Sequence, residues 1–391
     1  MVSDSKDINP RTVRAHNLGT GSVTTAKAGK KIIHTEAADP TSASDAGTGF
    51  EVGSLWNNTS SGEVFICTNS SEEDSVWFGQ EGENINLVQF TAGSATGYTI
   101  GGYNAGKKDT IYSLSLTSDA SAVDTGEELT VARYNNAGAK SATNFFSSGD
   151  YPGGPGDTHA IDAYTISSPH TYSDWGEITV DTSSTASTTG HNNDTYAWTV
   201  GGYPTGNDTI QKYVTVSAAN STDVGEYPVG IRNAVGATDS ISGYGYVFAG
   251  DTPSPAQVGE IARFSLTSDG NAADVGNLTQ VTGHTSCGPE ASYAFIVEGN
   301  DPRAAWDDLN RLAWTSSGDA TDVGEVSRVM NSAKDNPSIH NSTHWYQVGG
   351  YTHPATAYVD TVDKISYTSP YPLTDVGEIG DSSLYHATAS I

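Results

Sequence analysis

Apolar residues along this sequence fall in short runs: Ile111, Leu114 and Leu116; Ile161, Tyr164 and Ile166; Ile210, Tyr213 and Val216; Ile261, Phe264 and Leu266; Leu309, Leu312 and Trp314; Val362, Ile365 and Tyr367. Each run is bounded by Gly, Asp, Asn, Ser or Pro, and the i, i+3, i+4, i+7 stripes of amphipathic helices hardly occur, so the runs read as strands. Upstream of each lies a glycine-rich spot: Gly101-Gly102, Gly149-Asp150, Gly201-Gly202, Ala249-Gly250, Glu298-Gly299 and Gly349-Gly350. Four residues before the second member of each pair stand Tyr98, Phe146, Trp198, Tyr246, Phe295 and Tyr346, in a chain that is only 9% aromatic. An aromatic at all six places marks a core side chain used once per unit, and the glycines mark close backbone approach.

Downstream of each run comes Asp-x-Gly-Glu or Asp-x-Gly-Asn, with its glycine at Gly126, Gly176, Gly225, Gly276, Gly324 and Gly377; the steps are 50, 49, 51, 48 and 53 residues. A fixed period of this size denotes an array of supersecondary units. Six small antiparallel sheets predict an all-β, six-bladed β-propeller over residues 87–391, its core spread between blades. After Glu378 only 391 − 378 = 13 residues remain, too few to finish the last sheet. The missing part sits at the other end, from Leu87 to Ile100, so the ring is expected to close by pairing its N- and C-terminal strands, which removes exposed edges.

Two segments precede the repeats. Residues 1–50 are rich in Thr, Ala, Gly and Ser with little periodicity and read as an extended arm. Residues 51–86 read as a small β-meander, with strands at Ser54–Asn57, Val64–Cys67 and Val76–Phe78; three short strands alone are marginal and call for a packing partner.

Charge sharpens this division. The chain carries 18 Lys and Arg against 46 Asp and Glu, a net charge of −28, which argues against a nucleic-acid partner, because that affinity comes largely from basic residues displacing counterions. The arm is the exception: Lys6, Arg11, Arg14, Lys27, Lys30 and Lys31 face only Asp4 and Asp7 up to residue 34. Arg11, Arg14, Lys30 and Lys31 are the candidates for docking onto an acidic surface. Cys67 and Cys287 supply no disulfide framework, the first ten residues contain no apolar signal segment, and no apolar run approaches the length of a membrane span. A protein made in a cytoplasm and kept soluble is expected.

Candidate chemistry is sparse. The paired acids of Asp-x-Gly-Glu recur in five units of six, whereas an active site occurs once; Asp bonding its own downstream backbone and Gly at positive φ make a turn of them. Arg133 and Arg232 each follow the motif glutamate by six residues, so they too read as architecture, and no complete Ser-x-Asp-x-Gly-x-x-Trp box accompanies them. His340 and His344, four apart and expected on one strand face, with His353 nearby, lack a carboxylate or thiolate at matching spacing, so no metal and no other cofactor is expected. Recognition can be encoded only where units depart from the pattern. Trp175, Trp306 and Tyr371 are the candidate surface-recognition residues, suited to stacking on sugars, and Trp345 is a further unit-specific aromatic.

Two stretches resemble known families. Gly53-Ser54-Leu55-Trp56-Asn57-Asn58-Thr59, followed by Val64-Phe65-Ile66-Cys67-Thr68 and Val76-Trp77, resembles a hairpin module of tailed-bacteriophage fibre and appendage proteins. The repeat, written in full as Arg263-Phe-Ser-Leu-Thr-Ser-Asp-Gly-Asn-Ala-Ala-Asp-Val-Gly-Asn, is similar to kelch-like repeats in structural proteins of marine bacteriophages. Trp175 for the usual valine and the run from Asp301 to Trp306 depart from it. These resemblances imply a non-enzymatic virion protein, a tail fibre or appendage in many copies that docks on other virion proteins through its arm and contacts a host surface glycan. A capsid decoration or head fibre and a glycan-active propeller enzyme are the alternatives.

Overall fold

The computed structural model describes residues 33–41, 43–44, 50, 52–58, 64–71, 74–78 and 84–85, and then 96–390 apart from 135, 150–158, 167–170, 179–188, 194, 203–206, 240–241, 253–256, 282–285, 291, 298–307, 315–317, 327–329, 332–335, 338, 353–356 and 381–386. Arg11, Arg14, Lys30, Lys31, Leu87 to Phe90, Trp306 and His353 lie outside the described residues. The chain divides into two compact units, Met1–Thr91 and Ala92–Ile391. Among the described residues every regular element is a β-strand.

In the first unit β1 (Ile33–Glu36), β2 (Leu55–Asn58), β3 (Val64–Ser71), β4 (Asp74–Phe78) and β5 (Asn84–Ile85) form one sheet in that order. Strand β1 runs parallel to β2, from Ile33 opposite Leu55 to Glu36 opposite Asn58; the others pair antiparallel. The sheet thus begins upstream of residue 51, inside the stretch expected to be an arm. Its side chains explain why: the Trp56 indole N–H donates to the Ala38 carbonyl (2.7 Å), Asn58 donates to Asp39 (2.6 Å), and the His34 ring lies 4.1 Å from that of Trp56. Buried indole and amide groups need such partners, and a three-stranded meander does not supply them. Phe50, Trp56, Phe65 and Cys67 form the core.

Among the described residues the second unit contains six sheets. The first is β6 (Thr96–Ile100), β7 (Lys108–Ser115) and β8 (Val123–Arg133); the second is β9 (Ala137–Lys140), β10 (Asn144–Ser148), β11 (Ala160–Thr165) and β12 (Tyr172–Glu177). The third comprises β13 (Thr189–Asn192), β14 (Tyr196–Val200), β15 (Thr209–Val214) and β16 (Thr222–Glu226), and the fourth β17 (Val235–Asp239), β18 (Tyr244–Asp251), β19 (Gln257–Ser265) and β20 (Ala273–Asn277). The fifth has β21 (Ser286–Pro289), β22 (Tyr293–Val297), β23 (Asp308–Ala313) and β24 (Thr321–Glu325). The sixth is β25 (Met330–Asn331), β27 (Ile339–His340), β28 (His344–Thr352), β29 (Ala357–Ser366) and β30 (Leu373–Glu378), while β26 (Asn336–Pro337) runs parallel to β21. The last strand, β31 (Ala387–Ser390), returns to the first sheet and pairs antiparallel with β6, Ala387 opposite Ile100 and Ser390 opposite Gly97.

The core is divided among the gaps between sheets. Ile161, Phe146 and Ile178 meet Ala197 and Tyr213 between the second and third; Tyr346, Val348 and Val362 of the sixth meet Leu114 and Leu116 of the first. All six landmark aromatics are buried, from Phe146 and Tyr246 at 0% exposure to Tyr98 at 6%. Truncating one such ring to Ala costs about 3–5 kcal/mol. Val216, expected in a core run, is 66% exposed, because it stands beyond the end of β15 where the chain has turned toward solvent.

The Asp-x-Gly-Glu motif forms the joint between sheets. In all six units the aspartate accepts the glycine N–H, at 2.8 Å in Asp124/Gly126 and at most 3.2 Å elsewhere. In sheets two to six the pairing slips here by one residue, so that the residue between Asp and Gly bulges out of register. That residue, Trp175, Val224, Val275, Val323 or Val376, packs into an inter-sheet core. The residue after the glycine engages the following sheet: Glu177 N–H donates to Asn220, Glu226 to Asn271, Asn277 to Asp319 and Glu378 to Ser121. Each of their carbonyls accepts a backbone N–H from the same loop at 2.8 Å, the donors being Ser221, Ala272, Ala320 and Ala122. The last of these joints links the sixth sheet to the first, and the Lys364–Asp119 ion pair spans the same gap.

Candidate functional site

The antiparallel order puts two kinds of loop at opposite ends of the sheets. Loops joining second to third strands, which carry the Gly-Gly spots, and those leaving the fourth strands share one end; the loops between first and second and between third and fourth strands share the other. Joints and cores repeat, so differences between units collect in the loops.

At the Gly-Gly end, the second glycine of the spot is held by the end of the fourth strand or the segment leaving it: Gly102 N–H donates to the Arg133 carbonyl and Gly202 N–H to that of Ile231. A Cβ on Gly201, at φ +71°, would lie 2.3 Å from the Ile231 oxygen, so only glycine fits. This anchoring presents the residue that follows. Tyr103 lies half-buried with its ring 4.8 Å from Tyr134 and 6.4 Å from Tyr358 of the sixth sheet, and the Lys107 ammonium sits 5.9 Å from the Tyr134 centroid. Three tyrosines and a lysine from two sheets make a polar-tipped aromatic surface that can stack on a ring or a planar group. Sequence reasoning missed it, although Gly-Gly-Tyr recurs at Tyr103, Tyr203 and Tyr351.

The two arginines in equivalent positions are bound into the scaffold. Arg133, 1% exposed, pairs with Asp162, itself 1% exposed, and donates to the Ala160 carbonyl at 3.3 Å. Arg232 lies 3.9 Å from Asp251. The histidines depart from expectation: His340 belongs to β27 and His344 to β28, across a turn, so they do not share a strand face; His340 pairs in register with Trp345. Sequence spacing of four mistook a short hairpin for one strand. His344 contacts the Thr343 hydroxyl at 2.8 Å, and burial beside Lys364 lowers its pKa. Among the described residues no three His, Cys, Asp or Glu side chains group as a metal centre requires.

Of the unit-specific aromatics, Trp175 is half-buried, its indole N–H given to the Val214 carbonyl (2.7 Å) and its ring edge-on to Phe146 at 5.2 Å. It braces the second sheet against the third. Trp345 is fully buried. Tyr371, half-buried at φ +56°, lies 5.6 Å from Phe295 at the end opposite the Gly-Gly loops. In three sheets a repeated pairing emerges in which a cation of the third strand lies over a tyrosine of the second: Lys212 over Tyr196 (4.9 Å), Arg263 over Tyr244 (4.6 Å) and Arg311 over Tyr293 (4.5 Å). These diagonal cross-strand contacts also went unread in the sequence.

Among solved structures the chain is similar to the structure titled "Structure of YjhT", with a TM-score of 0.55, 10% identity, and coverage of 73% of this chain and 97% of that one. At that identity the likeness is one of fold, and with the sheets described it makes this an all-β, propeller-like protein. No family model matches the sequence, and no curated protein does.

Proposed function

We propose that the six sheets form one closed six-bladed kelch-like propeller and that the protein is a non-enzymatic structural component of a bacteriophage particle, a tail fibre or appendage displaying the Gly-Gly loops to the host surface. The observation that carries the display role is the division of labour along each sheet. The repeated carboxylates cap glycine N–H groups at the joints, while the sequences after the Gly-Gly spots differ from unit to unit and in the first unit present the half-buried Tyr103 beside Tyr134. Support for the ring comes from the β31–β6 pairing and the Glu378–Ser121 joint; support for the particle comes from the two phage resemblances. The basic stretch with Arg11, Arg14, Lys30 and Lys31 supplies docking charge on an acidic chain. Each stacked sugar contributes little, so firm attachment rests on many copies.

The test locates the protein by cryo-electron microscopy of intact particles and compares a form starting at residue 33, which retains β1. Density on the tail, lost in the truncated form, is the expected result. Density on the head moves the protein to decoration or head fibre, and absence from particles removes the virion reading.

A further inference from the structure

We infer that the cleft between the fifth and sixth sheets, at the end away from the Gly-Gly loops, binds a carboxylate-bearing sugar of the hexuronic-acid class through Arg311. The inference does not depend on where in a particle the protein sits.

It starts from a cation–acid pair that is made in two of the four sheets carrying a cation at the same third-strand position and is missing at the other two. Lys212 stacks over Tyr196 and is neutralised by Asp269 of the next sheet; Lys364 is neutralised likewise by Asp119. Asp269 and Asp119 each precede the motif aspartate, Asp274 or Asp124, by five residues. For the fourth sheet that position is Ser317, and Arg263 turns instead to the Tyr246 hydroxyl at 3.1 Å. For the fifth it is Pro370, five residues before Asp375, which can offer neither charge nor a side-chain acceptor. Arg311 therefore keeps its stacking on Tyr293, 4.5 Å from the centroid, and among the described residues has no carboxylate partner.

The gap beside Arg311 is open as well as unneutralised. Gly324, the joint glycine facing this gap, has nothing within 4 Å of a Cβ position, whereas the equivalent Gly276 would meet a backbone oxygen at 2.3 Å. An open cleft of about 280 Å³ occupies the gap, and its lining includes Arg311, Tyr293, Tyr367 and Glu290 with hydroxyls from Thr343 and Thr368. That volume lies at the small end for ligand sites and suits one ring. A guanidinium fork takes a carboxylate in two parallel hydrogen bonds, tyrosine faces take the ring, and the hydroxyls and Glu290 take sugar hydroxyls. Glu290, whose carboxylate accepts the Ser292 N–H at 3.0 Å, opposes an anion, so it weakens the site while adding preference for a ligand that is acid at one end and hydroxylic at the other.

The experiment titrates the full chain with glucuronate, galacturonate, glucose and galactose, by calorimetry or ligand-observed NMR at low ionic strength and pH 7. Saturable millimolar binding of a uronate, with its neutral parent roughly tenfold or more weaker, is expected, the loss matching one charge-assisted pair. Arg311→Gln removes binding, Glu290→Gln tightens it, and Arg263→Gln leaves it unchanged. Pro370→Asp, which supplies the acid that Asp269 and Asp119 provide to Lys212 and Lys364, weakens it; melting curves report whether each variant is folded. Absence of uronate binding to the wild type, equal binding of the neutral sugars, or full binding by a folded Arg311→Gln overturns the inference.

Discussion

His191 shows how one side chain ties this scaffold to pH. It stands in β13 with no exposure, its ring edge-on to Phe264 at 5.0 Å and its Nδ1 3.5 Å from the Thr238 hydroxyl. Burial lowers its pKa from 6.5 to about 3, since an imidazolium there would lose its hydration; the hydrogen bond to the Ala237 backbone only partly opposes this. As pH falls below 6.5 the unfolded chain takes up a proton that the folded chain refuses until about pH 3. The unfolded state then binds more protons, so stability is lost on acidification through that window and is fully present above it, the slope being about 1.4 kcal/mol per pH unit. At pH 5 the loss attributable to His191 is roughly 2 kcal/mol. Chemical denaturation of wild type and His191→Gln at pH 7 and pH 5 measures it: the variant should lose less stability between the two, and parallel losses would assign the acid sensitivity to other groups.

At the scale of the element, the joints decide where a change is felt. Gly276 has φ +154° and a Cβ there would sit 2.3 Å from the Gly318 oxygen, so Gly276→Ala must both strain the backbone and push the fourth sheet off the fifth. Gly324, at φ +140°, meets nothing. The conformational cost of about 1–3 kcal/mol is common to both substitutions, and the clash belongs to Gly276 alone. Thermal melts should therefore rank Gly276→Ala well below Gly324→Ala. Equal melting temperatures would mean that the Asp-x-Gly-Glu joint does not clamp neighbouring sheets.

At the scale of the whole repeat unit, sheets one and six are joined three times over: by β31 on β6, by Glu378 on Ser121, and by Lys364 on Asp119. The ion pair contributes least, since its aspartate side chain is 55% exposed and such pairs contribute at most about 1 kcal/mol. The strand contributes most, because without it β6 presents a free edge beside buried Tyr98 and Ile100. Deleting residues 379–391 should abolish the single cooperative melt and promote aggregation. A truncated chain melting as sharply and as high as the wild type would remove β31 from any closing role.

The sequence by itself determined the count of units, the strands, the aromatic plugs and the turn role of Asp-x-Gly-Glu, because each rests on local spacing and on which residue types tolerate a turn or a core. Ile111, Ile161, Ile210, Ile261, Leu309 and Val362 are all 0% exposed, as the runs foretold. Only the tertiary structure decided what depends on residues distant in the chain. It put Ile33–Glu36 beside Leu55, split His340 from His344 across a hairpin, spent Trp175 on the Val214 carbonyl, and gathered Tyr103 with Tyr358. It also showed that Pro370 stands where Asp269 and Asp119 supply an acid to Lys212 and Lys364, so that what sets Arg311 apart from those two lies on the next sheet. Spacing along a chain fixes periodicity, whereas partnership across a gap between sheets depends on twist and register, which no local pattern encodes.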